Sequence, residues 1–237
     1  MIPKTIHYCW FGRSEKSKLI KKCIASWKRF CPDYKIIEWN EDNFDINLNS
    51  YIRKAYDNKK YAFVSDCARL YAMYTCGGIY MDTDVELIKN PDEFLHNSAF
   101  LGFEGDKFIT TGIMACEKNY PIFKELLDSY KDEVFVNSDG SFNTTTNVER
   151  ITRAFEEKGF VPNGKLQQVC GCTIYPKDYF CPLEDSTGVL TKTENTVAIH
   201  WFDKSWIDGK TRLRSRITRP FHRLFGEDCF ERLKKEK

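Results

Sequence analysis

The stretch SDCARLYAMYTCGGIYMDTDVEL, Ser65 to Leu87, decides how the rest of the chain is read. With the preceding YAFV it forms a helical segment, Tyr61 to Cys76, stopped by Gly77-Gly78. A short apolar strand, Gly78 to Met81, follows and runs into two aspartates, Asp82 and Asp84. Acidic residues fit a half-buried pleated surface poorly, so two of them at the end of a core strand call for a reason. Open α/β sheets bind ligands just outside the carboxyl ends of their strands, and that is where this pair would stand.

The flanking sequence supports an α/β sheet. KTIHYCW, Lys4 to Trp10, reads as a first strand closed by Gly12. In EKSKLIKKCIASWKRF the apolar Leu19, Ile20, Cys23, Ile24 and Trp27 share one helical face, with Pro32 just beyond. YKIIEW, Tyr34 to Trp39, is a second strand, so the opening is a parallel βαβ unit. Downstream, SAFLGFE and FITTGIMAC read as two strands that a hairpin would join, and YPIFKELLDSYKDE as a helix opened near Pro121. Asn137 to Pro182 reads as loops with one helix over Arg150 to Glu157, and NTVAIHWFDKSW as a late strand running into a polar, aromatic loop. Helices alternate with strands, and no internal repeat interrupts them.

At 237 residues and 42% apolar, the chain suits one large domain or one and a half. A net charge of +2 excludes a polyanion binder, so no nucleic-acid partner is expected. The 15% aromatic content suits either a well-packed core or a cleft that stacks on rings. The N-terminus has no apolar signal region, and no apolar run approaches the roughly 18 residues of a membrane span. The expectation is a cytoplasmic chain whose ten cysteines are reduced and serve mainly as small core residues. Cys170 and Cys172, with Cys181 nearby, are a zinc candidate that lacks the paired spacing of a zinc ribbon.

Along an extended strand Asp82 and Asp84 would point to one side, with Thr83 pointing away. Two such carboxylates repel unless a cation lies near them. Hard oxygen ligands suit Mg²⁺ or Mn²⁺, which fill their remaining positions with water and substrate phosphates. The pair is therefore suited to a metal diphosphate; the plainer alternative is a solvated acidic turn. Asp66 and Arg69, three residues apart on one face of the preceding helix, are either a surface ion pair or an acid and a base delivered to the same cleft.

Three blocks in order, IPKTIHYCWFG, SDCARLYAMYTCGGIYMDTDV and AIHWFDKSW, resemble the DxD-containing glycosyltransferase family 32, which includes bacterial capsule and lipopolysaccharide transferases. The catalytic domains of clostridial glucosylating toxins are distantly similar. The resemblance implies a GT-A fold, a single Rossmann-like domain binding a nucleotide-sugar donor and a divalent metal, Mn²⁺ or Mg²⁺. It implies that Asp84 binds the metal, that Asp82 touches ribose or metal, and that Asp66 and Arg69 hold sugar hydroxyls with Ser65 and Tyr80 close by. Trp10 matches a tryptophan that stacks on uracil, and the alternative for it is a core indole. Ser205 and Trp206 match a pair expected over the diphosphate. His200 stands where related enzymes complete the metal site, although this chain has His200-Trp201 where the family often has two histidines, and a purely structural imidazole is the alternative.

The expected activity is retaining hexose transfer from a UDP-sugar to a glycan or lipid-linked acceptor in surface polysaccharide synthesis, by double displacement or by front-face attack. A non-catalytic carbohydrate-binding protein on the same fold is the alternative from another class. A phosphohydrolase would want more metal ligands than four histidines help supply. The domain is read as 1–209 and a basic amphipathic tail as 210–237. The tail holds ten basic and four acidic residues, +6, against −4 for the remainder of the chain. Ile217, Phe221, Leu224 and Phe225 make an apolar stripe along it, with Pro220 expected to break or start the helix. Such a segment suits docking on the anionic inner face of a membrane, or packing on the domain as an ordinary surface helix.

Overall fold

The computed structural model describes residues 1–203, 217–224, 226 and 229. The chain order is β1 (Thr5–Cys9), α1 (Lys18–Phe30), β2 (Lys35–Trp39), α2 (Ser50–Asp57), α3 (Tyr61–Cys76), β3 (Gly78–Met81), β4 (Val85–Leu87), β5 (Ala99–Glu104), β6 (Phe108–Ile109) and β7 (Ile113–Cys116). It continues through α4 (Pro121–Asp128), α5 (Asn147–Glu156), β8 (Gln167–Val169), β9 (Cys172–Tyr175), α6 (Lys177–Phe180) and β10 (Ala198–His200).

The main sheet runs β2-β1-β3-β7-β5-β9-β8, with β6 added on β5. β1 lies parallel to both β2 and β3, as the βαβ opening requires, and β5 is parallel to β9. β7 runs antiparallel between β3 and β5. The carboxyl ends of β1, β3, β5 and β9 therefore share one edge of the sheet, and β7 starts from that edge. The predicted strand FITTGIMAC is in fact two: β6 closes a short hairpin on β5, Thr110–Gly112 break away, and β7 returns to the sheet interior. Away from this sheet, β4 and β10 pair antiparallel, with His200 opposite Val85.

Each face of the sheet buries a core. One contains Tyr51 and Ile52 of α2, most of α3, Phe123 and Leu126 of α4, and Phe155 of α5. The other contains Cys23 and Trp27 of α1, Val85 and Leu87 of β4, Phe180 of α6 and Ala198 of β10. α1 behaves as its apolar stripe predicts, with Ser17 capping its start by accepting from the Ile20 amide at 3.3 Å. α3 differs: nine of its residues are buried around the helix, including the charged Asp66 and Arg69. It passes into β3 through Gly77 and Gly78, with φ of +66° and +104°. A Cβ on Gly77 would come within 2.5 Å of the Lys118 amide nitrogen, so only glycine makes this turn.

All ten cysteines are free thiols. Cys172 and Cys181 are buried while Cys170 is exposed, and no metal-ligating cluster joins the three among the described residues. The zinc candidate Cys170/Cys172/Cys181 is thus dismantled as a unit, because Cys170 and Cys172 flank the β8–β9 turn and Cys181 follows α6. No helix among the described residues is long and apolar enough to cross a membrane. The domain boundary expected at 209 and most of the basic tail lie outside the described residues. Residues 217–224 are helical, with Pro220 inside the helix.

Candidate active site

The centre of the site is the Arg69 guanidinium. α3 is buried on most faces, so Arg69 and Asp66 are only 6% and 8% exposed despite their charge. Arg69 lies 3.1 Å from the Asp82 carboxylate and 3.3 Å from that of Asp66, and donates to the Thr111 carbonyl at 2.9 Å. Its guanidinium also packs over the Tyr80 ring, 4.7 Å from the centroid. The pair read from sequence as either a surface bridge or a cleft pair is therefore not a surface bridge: it is buried, and Asp82 joins it. Burial opposes the Arg69 charge, but Asp82 and then Asp66 outweigh it and hold the guanidinium firmly protonated. Breaking such a buried pair on one side costs roughly 3–5 kcal/mol, so Arg69 anchors the site as well as lining it.

Burial raises the Asp66 carboxyl to about 6, against the pull of Arg69 and with a further push from Asp82. The Asp66 main-chain carbonyl accepts from the Asn147 side chain at 2.8 Å, and Asn147 in turn accepts from the Tyr130 hydroxyl at 2.7 Å. Asn147 opens α5, and the reading of Asn137 to Pro182 as loops with one helix from Arg150 did not single it out. The signal was present: Thr146 and Glu149 form a reciprocal capping box that starts the helix at Asn147, three residues before the expected Arg150.

Asp82 and Asp84 do converge, but by a different route from the extended alternation expected. Residues 82–84 leave the strand in a turn closed by the Val85 amide donating to the Asp82 carbonyl at 2.9 Å. The Asp82 carboxylate is held by Arg69 and by the Tyr80 hydroxyl at 2.9 Å, so its charge is neutralised and its orientation fixed from the protein side. Asp84 has different partners. One of its oxygens accepts from the Asp203 amide at 2.8 Å, and the other lies 3.4 Å from His200 Nε2.

His200 reaches Asp84 because β10 pairs with β4, the strand that follows the DxD turn; the Trp201 amide then donates to the Asp84 carbonyl at 3.0 Å. Gly112 makes room for the ring, since a Cβ there would lie 2.9 Å from His200 Nδ1. Burial disfavours the imidazolium, but Asp84 outweighs it and raises the His200 pKa well above its usual value. Burial likewise pushes Asp84 up, and His200 overrides it to hold that carboxyl below its usual range. Ligand atoms of Asp82, Asp84 and His200 all lie within 4.8 Å of one another. Two carboxylates and an imidazole are a donor set that fits Mn²⁺ or Mg²⁺. An ion held there would need the unprotonated imidazole, so its binding would compete with the proton that Asp84 favours on His200.

The remaining candidates lie toward the rim. Trp10 follows β1 at the ligand edge and is half-buried, its Nε1 donating to the Ser14 carbonyl at 2.8 Å. Lys16 sits 5.3 Å above the indole and is paired with Glu38 at 2.8 Å. Ser65 is half-buried on α3, one residue before Asp66. Tyr80 is buried, and its hydroxyl is committed to Asp82. Ser205 and Trp206 lie outside the described residues. Two neighbours were not foreseen: Glu104 at the end of β5 and Cys181 after α6 come close to His200.

Residues 17–101 match a protein-family model described as a glycosyltransferase sugar-binding region containing a DXD motif. The chain is 27% identical over 133 residues to inositol phosphoceramide mannosyltransferase 3 of Schizosaccharomyces pombe, covering 53% of this chain and 36% of that protein. It is 25% identical over 232 residues to subversion of eukaryotic traffic protein A of Legionella pneumophila, covering 84% of this chain and 34% of that protein. The chain thus spans about a third of the length of these curated relatives. Among solved structures, PaToxG glycosyltransferase superposes with a TM-score of 0.52 at 20% identity, covering 67% of this chain and 70% of that one. The resemblance read from the three sequence blocks is borne out, and the fold is that of the GT-A glycosyltransferases.

Proposed function

We propose that this chain, which carries a DxD sugar-transferase region on a GT-A fold, is a retaining, divalent-metal-dependent glycosyltransferase that moves a hexose from a UDP-sugar to a glycan or lipid-linked acceptor. The observation that carries the reading is the division of labour between the two aspartates. Asp82 is neutralised by Arg69, while Asp84 and His200 face each other with Arg69 elsewhere. A site built only to bury its acids would have paired both with arginine.

In this reading Asp84 and His200 hold Mn²⁺ or Mg²⁺, with Asp82 completing the set or meeting the ribose. When bound, the ion supplies positive charge to the leaving diphosphate. Arg69 adds fixed positive charge at the same end of the site, prepared before the reaction begins. Asp66, with a carboxyl near 6, accepts from or donates to sugar hydroxyls, and Ser65 stands beside it on α3. Trp10 offers a flat platform for the base at the end of β1. A screen of nucleotide-sugars for Mn²⁺-dependent donor hydrolysis tests the assignment: UDP-hexoses are turned over, and chelation stops it. Turnover of no nucleotide-sugar at any metal concentration would return the chain to the carbohydrate-binding alternative.

The acceptor reading includes the inner face of a cell membrane. In helix 217–224, Ile217, Phe221 and Leu224 are 57%, 46% and 74% exposed. Arg219 instead turns inward to the Asp185 carboxylate at 3.1 Å, while Arg223 stays exposed, 3.4 Å from the Gly188 carbonyl. An ordinary surface helix would bury the apolar residues. The full chain is expected to float with anionic vesicles at low salt and to be released at high salt, and a chain ending at Gly209 to stay behind. Equal flotation of both, or of neither, removes the membrane from the proposal.

A further inference from the structure

Cys181 and Glu104 have no part in the sugar-transfer scheme, yet both approach His200. Glu104 ends β5, Cys181 caps α6 and is 2% exposed, and His200 ends β10. Three separate elements thus deliver a carboxylate oxygen, a sulfur and an imidazole nitrogen that all lie within 4.8 Å of one another. Among the described residues no other cluster of metal-ligating groups contains a cysteine. The imidazole has a reserve nitrogen here: Nε2 faces Asp84, while Nδ1 is buried with no oxygen or nitrogen partner, and the Cys181 thiol also meets the ring. A buried polar atom left unpaired is costly, so it points to a group that completes it.

We propose that Glu104, Cys181 and His200 form a second cation site, distinct from the DxD pair, that takes a thiolate-preferring divalent ion of the Zn²⁺ class. The donor set decides the ion. Mn²⁺ and Mg²⁺ favour oxygen ligands, whereas a sulfur, an imidazole nitrogen and a carboxylate suit Zn²⁺. Three protein ligands leave a fourth tetrahedral position for water. Zn²⁺ would hold these donors at about 2.0–2.3 Å, which small side-chain rotations in the cluster supply. Such an ion ties β5, α6 and β10 together. It also takes a nitrogen from the same ring that faces Asp84. The site stands or falls independently of the sugar-transfer reading, because metal uptake is read directly.

Co²⁺ reports the site on the full-length chain after treatment with a chelator. The expected result is a thiolate-to-cobalt charge-transfer band in the near ultraviolet that saturates with one equivalent and is lost on adding Zn²⁺. Cys181→Ser abolishes the band, and Glu104→Gln weakens binding by more than the roughly 10–100-fold that outer-shell changes cost. Asp84→Asn keeps the band, which separates this site from the DxD pair. Absence of a band in the wild-type chain, its survival in Cys181→Ser, or its loss in Asp84→Asn would overturn the proposal. Should Cys181→Ser not fold, zinc-edge X-ray absorption on the wild-type chain decides: one sulfur at about 2.3 Å among nitrogen and oxygen ligands supports the site, and a shell of nitrogen and oxygen alone overturns it.

Discussion

His7 and His200 are both withdrawn from water, and they hold opposite charge states. His7 lies inside the sheet on β1 and is fully buried. Its Nε2–H donates to the Gly77 carbonyl at 2.9 Å, and its Nδ1 accepts from the Trp39 indole at 3.1 Å. Both partners suit a neutral ring, and burial lowers its pKa to about 4. His200, 13% exposed in its side chain, meets the Asp84 carboxylate instead and is raised. Burial alone does not set the state of a histidine; the charge of its partner does. One imidazole cements a sheet, and the other is poised to trade a proton for a cation.

The largest effect is expected from removing the partner that distinguishes them. Asp84→Asn is expected to cut sugar transfer by about 10²–10³-fold, the scale of a lost electrostatic contact to developing charge, while the domain stays folded. The same substitution lets the His200 pKa fall, so that the two rings come to resemble each other in imidazole NMR. Near-full activity in Mn²⁺ would remove Asp84 from the metal site.

His7 is expected to contribute next, through acid. Its folded pKa lies below the unfolded value, so the unfolded chain binds the extra proton first. The stability it contributes is present above pH 6.5, is lost as pH falls toward about 4, and amounts to about 3 kcal/mol. Urea midpoints across that window measure the loss, and the His7 resonances should hold their neutral positions until about pH 4. Titration of His7 near 6.5 would mean the sheet admits water there.

The smallest effect is expected at Trp39→Phe, which deprives His7 Nδ1 of its donor and costs roughly 1–3 kcal/mol. Donor turnover per folded molecule should be unchanged, since the Trp39 side chain is buried with its indole nitrogen on His7 and the substitution leaves its main chain in place. A fall in turnover would show that the sheet interior and the cleft are coupled.

Much of the fold was legible because it is written in local patterns. α3 spans Tyr61–Cys76 as its apolar content and the Gly-Gly stop predict, and β1, α1 and β2 fall within a few residues of their expected limits. What was missed is short. α2 carries an Asn49 cap and buried Tyr51, Ile52 and Ala55, a signal that passed unread. β4, three residues long, also went unread; β10 lies inside the late strand read from NTVAIHWFDKSW, but its pairing with β4 spans more than a hundred residues of chain. No window of sequence contains that pairing.

The sequence by itself determined an α/β chain with an acid pair at a strand end and Asp66 and Arg69 one helix upstream, because periodicity, glycine punctuation and motif spacing are properties of neighbouring residues. Tertiary structure decided how those charges share the site. Arg69 neutralises Asp82 because α3 packs against β3, and Asp84 is left to His200 because β10 lies on β4. A turn, rather than the pleat of a strand, aims the two aspartates. Likewise only packing separated Cys181 from Cys170 and Cys172 and set it beside Glu104 and His200. Electrostatic partnership depends on distance in space and on burial, and for these residues both were set by contacts far apart in the chain.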